Sequence, residues 1–220
     1  RAGTRIGSLA DFLRESKTLF AGAFAVVFAV PLFSGLYYRG ALTFLPELLR
    51  NVPGLGPVEF AGRTFQPGDY VYVRLLMVGV LGQYTAGRLT DRGRPERGIV
   101  AGFVALAVVA VLFVPAAGLG LPALLVVSAL LGFSLFFVQP FYQASVAEYT
   151  PAGSRGLSYG FTYLGVFGVG AAGAVVAGTV LTYFAPAELF LVLAGFAVCG
   201  AGLGAYLVTR APSTGVEHRG

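Results

Sequence analysis

Residues 99–115 read IVAGFVALAVVAVLFVP, with no polar side chain among them. Several further stretches of similar length are nearly as apolar, and each is separated from the next by short polar punctuation. About 17–25 apolar residues are what an α-helix needs to cross the hydrocarbon core of a bilayer. A surface helix of a soluble protein would carry an apolar stripe on one side only, whereas most of these runs are apolar around the whole helical circumference. A closed β-barrel would instead require short alternating strands. The charged fraction agrees: 11% of residues are charged and 56% hydrophobic, against about 25% charged in a typical soluble domain. The expectation is an all-α integral membrane chain of six transmembrane helices, over residues 19–45, 70–86, 99–115, 121–146, 157–184 and 188–208. Residues 1–18 then form a cytoplasmic linker or interfacial helix, 19–208 the membrane part and 209–220 a cytoplasmic tail.

Basic residues orient the chain, because arginine and lysine are retained on the cytoplasmic side. Arg1, Arg5, Arg14 and Lys17 lead the chain, Arg88, Arg92, Arg94 and Arg97 fill the second connection, Arg155 is in the fourth, and Arg210 and Arg219 are in the tail. The opposite side has only Arg50 and Arg63. Both ends are therefore expected in the cytoplasm, in a multi-pass protein of the plasma membrane. Residues 8–16, SLADFLRES, put leucine and phenylalanine on one face and suit either a helix lying on the inner surface or a solvated linker. In the longest connection, 46–69, Val58-Glu59-Phe60 and Arg63-Thr64-Phe65 flank Ala61-Gly62 and predict a two-residue hairpin. The third connection, 116–120, is so short that its two helices must be antiparallel neighbours. The start at Arg1, without methionine or a signal-peptide core, reads as a fragment.

Some chemistries find no support in these residues. The single Cys199 lies in an apolar run, where it reads as a small buried hydrophobe, and neither a disulfide framework nor a metal-ligand spacing can be built on it. The net charge of +5 resides in loops between spans, which fits membrane topology and not a nucleic-acid partner. No nucleotide-binding loop or nucleophile elbow occurs, no cofactor is called for, and the carboxylates Glu47, Asp69, Glu148 and Glu188 fall at span ends. His218 belongs to a polar tail. An enzyme is not expected.

Between the second and third spans stands Gly82-Gln83-Tyr84-Thr85-Ala86-Gly87-Arg88-Leu89-Thr90-Asp91-Arg92-Gly93-Arg94-Pro95-Glu96-Arg97. It resembles the signature loop of the major facilitator superfamily: glycine, any residue, leucine, a small residue, aspartate, arginine, then glycine and arginine. The chain is one residue short between Arg92 and Gly93, and Pro95-Glu96 interrupts the basic run, so the likeness rests mainly on residues 87–92. Softer likenesses follow in order: Tyr37-Tyr38-Arg39-Gly40 with Pro46, then Pro151 to Gly160, then Phe167-Gly168-Val169-Gly170. The resemblance implies the carboxy-terminal six-helix half of a secondary transporter, made of two inverted three-helix repeats and working by alternating access. It further implies an N-terminal six-helix half as partner, a lipid bilayer around both, a small-molecule substrate, and a conformational-switch loop comprising Gly87, Arg88, Asp91, Arg92 and Arg94. A glycine there lets a helix end pack closely, and an aspartate suits the positive end of a neighbouring helix. A nontransporting receptor, or a six-helix half that pairs with itself, is compatible with the same residues.

Substrate-cavity candidates are the polar side chains inside spans. Arg39, beside Tyr37 and Tyr38, suits an anionic group or an acid of the other half; equally it can snorkel to the outer interface or pair with Glu47. Gln139 and Gln143, four apart around Pro140 with Tyr142 adjacent, suit hydrogen bonds to substrate or to another helix, with Ser128 and Ser134 roughly on their face. Tyr163, four residues after Tyr159, suits the cavity or the inner interface. Arg74 reads as an interfacial anchor. Gly170, Ala174 and Gly178, and Gly200 with Gly204, read as packing surfaces.

Overall fold

A computed structural model describes residues 13, 14, 16, 17, 20, 24–150 and 154–210. The interfacial helix expected over 8–16 lies largely outside them, as do Arg1, Arg5, His218 and Arg219. The described chain is all-α apart from one hairpin. Its six long helices are α1 (Phe24–Arg50), α2 (Pro67–Thr90), α3 (Pro95–Gly118), α4 (Leu121–Glu148), α5 (Arg155–Tyr183) and α6 (Pro186–Arg210). Four of them, α2, α3, α4 and α6, carry proline within the first two residues, where its missing N–H has no intrahelical partner to lose and its fixed φ suits the helix. α1 runs through both Pro31 and Pro46 and ends four residues beyond the latter.

Five of the six, α1, α3, α4, α5 and α6, are long and apolar enough to cross a membrane. α2 is as long as α3, but Asp69, Arg74, Gln83 and Arg88 dilute its apolar character. The second expected span is thus a helix of crossing length whose composition alone does not place it in lipid.

The hairpin forms at the expected positions. β1 (Val58–Phe60) pairs antiparallel with β2 (Arg63–Phe65), Val58 opposite Phe65 and Phe60 opposite Arg63. Ala61 and Gly62 both take positive φ, 51° and 71°, as a type I′ turn demands. At the base of this connection Arg50 grips Asp69 through two hydrogen bonds of 2.8 and 3.2 Å. The turn between α3 and α4 is shorter still, Leu119 and Gly120, and these helices pack side by side.

α1 is the centre of the bundle and touches each of the other five. Tyr37, fully buried, donates its hydroxyl to the Leu106 carbonyl of α3 at 3.1 Å, so its polar end is satisfied inside the apolar core. Two backbone-to-backbone contacts set the remaining spacing. A Cβ at Gly35 of α1 would lie 2.6 Å from the Val166 carbonyl oxygen of α5, and one at Gly173 would collide with the backbone of Leu36. On the other side of the bundle a Cβ at Gly82 of α2 would meet the Phe133 backbone of α4, and one at Gly132 the Leu75 backbone. Without glycine these helix pairs could not approach so closely.

The other small residues divide. Gly200 and Gly204 face Phe103 and Ile99 of α3, and Gly178 faces Phe44, while the closest approach in α5 falls to Gly170 and Gly173. Cys199 corrects its expected burial: it is exposed. Ala197 and Gly200 turn toward the core, and helical rotation carries Cys199 to the outer surface of α6.

Candidate functional site

Tyr38 of α1, Gln139, Tyr142 and Gln143 of α4, and Tyr163 of α5 surround one cavity of about 150 Å³. Phe136, Tyr159, Thr162, Val166 and Phe167 complete its lining. Helical spacing explains the grouping. Phe136, Gln139 and Gln143 stand at i, i+3 and i+7 on α4, and Tyr159, Thr162, Tyr163, Val166 and Phe167 at i, i+3, i+4, i+7 and i+8 on α5, so each set forms one stripe. The rings meet in favourable geometries: Tyr38 is edge-on to Phe136 at 5.9 Å, and Tyr163 stacks on Phe167 at 6.0 Å. Tyr142 is buried, Gln139 half-buried, and Gln143, Tyr163 and Phe167 are exposed, so the cavity opens along α5.

α5 is irregular where it lines the cavity. Between its two α-helical parts it widens into a π segment, Leu164–Gly168, and then tightens into a 3₁₀ turn, Val169–Ala171. Such π insertions are frequent at functional sites. Here the widened turn carries Val166 and Phe167, while Gly170 and Gly173 beyond it are pinned against α1.

Arg39 is not among the lining residues. Its guanidinium lies over the Phe167 ring, 5.7 Å from the centroid, and so stands behind the cavity wall. Glu47 is engaged elsewhere, with Arg50 at 3.6 Å and with the Asn51 amide at 3.1 Å. Among the described residues Arg39 has no carboxylate partner. Arg74, for its part, donates to the Leu125 carbonyl at 2.7 Å and ties α2 to the start of α4. Ser128 and Ser134 are buried away from the cavity, Ser128 bonding to the Leu125 carbonyl.

The loop residues lie apart from the cavity. α2 continues through Gly87 and Arg88 to Thr90, and Arg88 stacks over Tyr84 at 4.7 Å. A Cβ at Gly87 would meet nothing within 4 Å, so the close packing expected of that glycine is made by Gly82 instead. Asp91, Arg92 and Arg94 are exposed. The acid in the first turn of α3 is Glu96, not Asp91. Glu96 is 2% exposed and accepts a hydrogen bond from the Tyr149 hydroxyl at 2.9 Å. Burial, and then the bond to Glu96, hold the Tyr149 phenol well above the ordinary tyrosine value. Beside it, the Thr150 hydroxyl donates to that of Ser158 at 2.9 Å and links the α4–α5 connection to α5.

Phe136, Thr162 and Val166 were not singled out from sequence, and Phe167 only within its glycine-rich stretch, although the 3–4 spacing running on from Gln139 and Tyr163 is the signal that finds them. Glu96 had no such signal, since an acid beside a run of arginines reads as solvated.

The fold and this cavity define a class: an all-α bundle built for a membrane, holding a cleft lined by aromatic rings and amides at the meeting of three helices. Comparison with protein-family models gives no match, and comparison with curated proteins gives none either.

Proposed function

We propose that the chain is one six-helix half of a secondary transporter of the major facilitator type, which moves a small solute across the plasma membrane by alternating access. The observation that carries this reading is the convergence of Tyr38, Gln139, Tyr142, Gln143 and Tyr163, from three helices, on one cavity. Polar groups in spans are costly and mark solute paths. All six helices, α2 included, then cross the bilayer, with both ends in the cytoplasm.

Helix pairing supports two three-helix repeats. α1 packs on α5 and α6 just as α4 packs on α2 and α3. The glycine contacts follow the same exchange, Gly35 of α1 against α5 and Gly132 of α4 against α2. The exposed faces of α5 and α2, with Phe167, Met77 and Tyr84, are the surface an N-terminal half would cover. Arg39 stands behind the Phe167 wall, outside the lining, and its expected partner is an acid of the other half. Asp91 and Arg92 act in switching and not in solute contact, because they stand at the end of α2, away from the cavity.

The test is accessibility. Exposed Cys199 is first replaced by serine, and single cysteines are placed at Gln143, Gly62 and Gly93 of the full chain in sealed vesicles. Gly62→Cys should react with an impermeant thiol reagent only from outside, Gly93→Cys only from inside, and Gln143→Cys from either side. A Gln143→Cys that reacts from neither side would put the cavity off any aqueous path and overturn this reading.

A further inference from the structure

We infer that the β1–β2 hairpin docks on the bilayer, laying the face of Val58, Phe60, Arg63 and Phe65 into the lipid headgroup layer on its own side of the membrane. This rests on reading the helices as membrane spans and adds a lipid-binding surface outside them. The register divides the hairpin into two faces. Residues opposite each other in an antiparallel pair point to the same side, and neighbours along a strand point to opposite sides. Val58 opposite Phe65 and Phe60 opposite Arg63 therefore share one face, while Glu59 and Thr64 share the other. The first face is apolar with a single cation, and the second holds the acid.

Every residue from Gly56 to Phe65 is exposed, Phe60 to 73%, so among the described residues no helix buries either face. A two-stranded hairpin by itself is marginally stable in water and needs its apolar face covered to persist. Yet this hairpin is not carried on a loose loop. Leu55 before it is buried, Gly68 after it lies against the backbone of Leu49 and Arg50, and Arg50 grips Asp69 at 2.8 Å. The connection is thereby tied at both ends to the adjoining ends of α1 and α2.

Height and charge name the occupant. α2 begins at Pro67, so the path from Tyr70 back to Phe65 is about one helical turn and two extended residues, at most about 12 Å. Tyr70 is exposed, as is Tyr183 of α5 at the same end of the bundle, where Gly178 faces Phe44 of α1; tyrosines so placed mark a membrane interface. The headgroup layer at that level is about 5–7 Å deep, within reach of the hairpin. An arginine set among phenylalanines suits this layer, the rings entering the acyl boundary and the guanidinium meeting lipid phosphate. Arg63 pairs with no carboxylate among the described residues. The split of charge, cation beside the rings and acid on the far side, is the one that a layer of phosphates selects.

The 220 residues contain no tryptophan, so an introduced indole serves as the reporter. The full chain is placed in vesicles of phosphatidylcholine and phosphatidylglycerol whose acyl chains are brominated near the carbonyl end, where bromine quenches indole on contact. Phe60→Trp should be quenched and its emission shifted to the blue, while Glu59→Trp should stay unquenched. Arg63→Ala, added to Phe60→Trp, should lower the ratio of quenched to unquenched emission about fivefold, the worth of one arginine at an anionic lipid surface. Helical circular dichroism should be unchanged in each variant, because these side chains are exposed. An unquenched Phe60→Trp with red emission would put the face in water, and an unquenched one with blue emission would put it on protein, the other half or a second copy; either overturns the proposal. Equal quenching of Phe60→Trp and Glu59→Trp would refute the division into two faces, and an unchanged ratio in Arg63→Ala would refute the phosphate contact. Quenched Phe60→Trp with a Gln143→Cys that reacts from neither side leaves the docking standing and rejects transport. Unquenched Phe60→Trp with a reactive Gln143→Cys does the reverse.

Discussion

The same substitution, glycine to alanine, should have opposite effects at two positions of this bundle. At Gly173 a Cβ would collide with the Leu36 carbonyl oxygen and would lie 2.8 Å and 2.9 Å from the Leu36 carbonyl carbon and Cα. These are backbone atoms of α1, which cannot turn aside as a side chain does. Ordinary contact begins near 3.4 Å, so the two helices must part by about 0.6 Å or more, a gap that forfeits a quarter to a half of the dispersion energy along the seam. Overpacking costs roughly 1–3 kcal/mol, occasionally more; three backbone atoms inside contact distance put Gly173 at the upper end, which exceeds the helix propensity of about 1 kcal/mol that alanine returns. At Gly202, on the exposed face of α6, an added Cβ meets nothing within 4 Å, and only the gain of about 1 kcal/mol remains. At about 2–4 °C per kcal/mol for a chain of this size, Gly173→Ala should melt several degrees below the parent and Gly202→Ala a few degrees above it. Helical circular dichroism of the detergent-solubilised protein during heating measures both. Shifts of the same sign, or a Gly173→Ala variant that melts with the parent, would refute the assignment of the α1–α5 contact.

Three other outcomes follow from buried and exposed groups. Tyr37→Phe removes the bond to Leu106 but keeps the ring, and should cost about 0.6–1 kcal/mol in detergent unfolding, whereas Tyr37→Ala should cost about 3–5 kcal/mol; equal losses would mean that the ring is not packed. Cys199→Leu, a larger side chain on the outer face of α6, should change detergent unfolding by no more than about 0.5 kcal/mol, and a loss of roughly 1–3 kcal/mol, as at an overpacked core site, would contradict its exposure. Because the Tyr149 phenol is held above its ordinary value of 10.0, its contribution to stability is complete below about pH 10 and is lost as pH rises through the higher folded value. Unfolding midpoints should therefore decline above pH 10, and Glu96→Ala, which leaves the Tyr149 hydroxyl without its partner, should destabilise by roughly 1–3 kcal/mol at neutral pH.

What the sequence determined by itself is whatever depends on neighbours along the chain. The run of residues 99–115, with no polar side chain, can only be a helix in an apolar setting, and α3 covers it. Ala61-Gly62 between two short β-forming triplets has one good solution, a turn with both residues at positive φ. A two-residue connection forces α3 and α4 together whatever else happens. The cavity stripes on α4 and α5 were half legible for the same reason, since Gln139 with Gln143 and Tyr159 with Tyr163 each share a face by helical repeat alone.

Rotation of each helix about its own axis was decided only by tertiary structure. A helix that is apolar on every side has no preferred inward face, so small residues on neighbouring helices choose it by how closely two backbones can meet. Gly200 against Phe103 turns Cys199 outward, and Gly82 against Phe133, with Gly87 left open, sets the face of α2. Partners distant in sequence were equally beyond local reading. Tyr37 finds a carbonyl 69 residues away, and Glu96, set among arginines, finds the Tyr149 hydroxyl 53 residues on. Arg39 has a ring of α5 where a carboxylate was sought, because α5 crosses α1 at Gly35 and brings Phe167 within reach of the guanidinium.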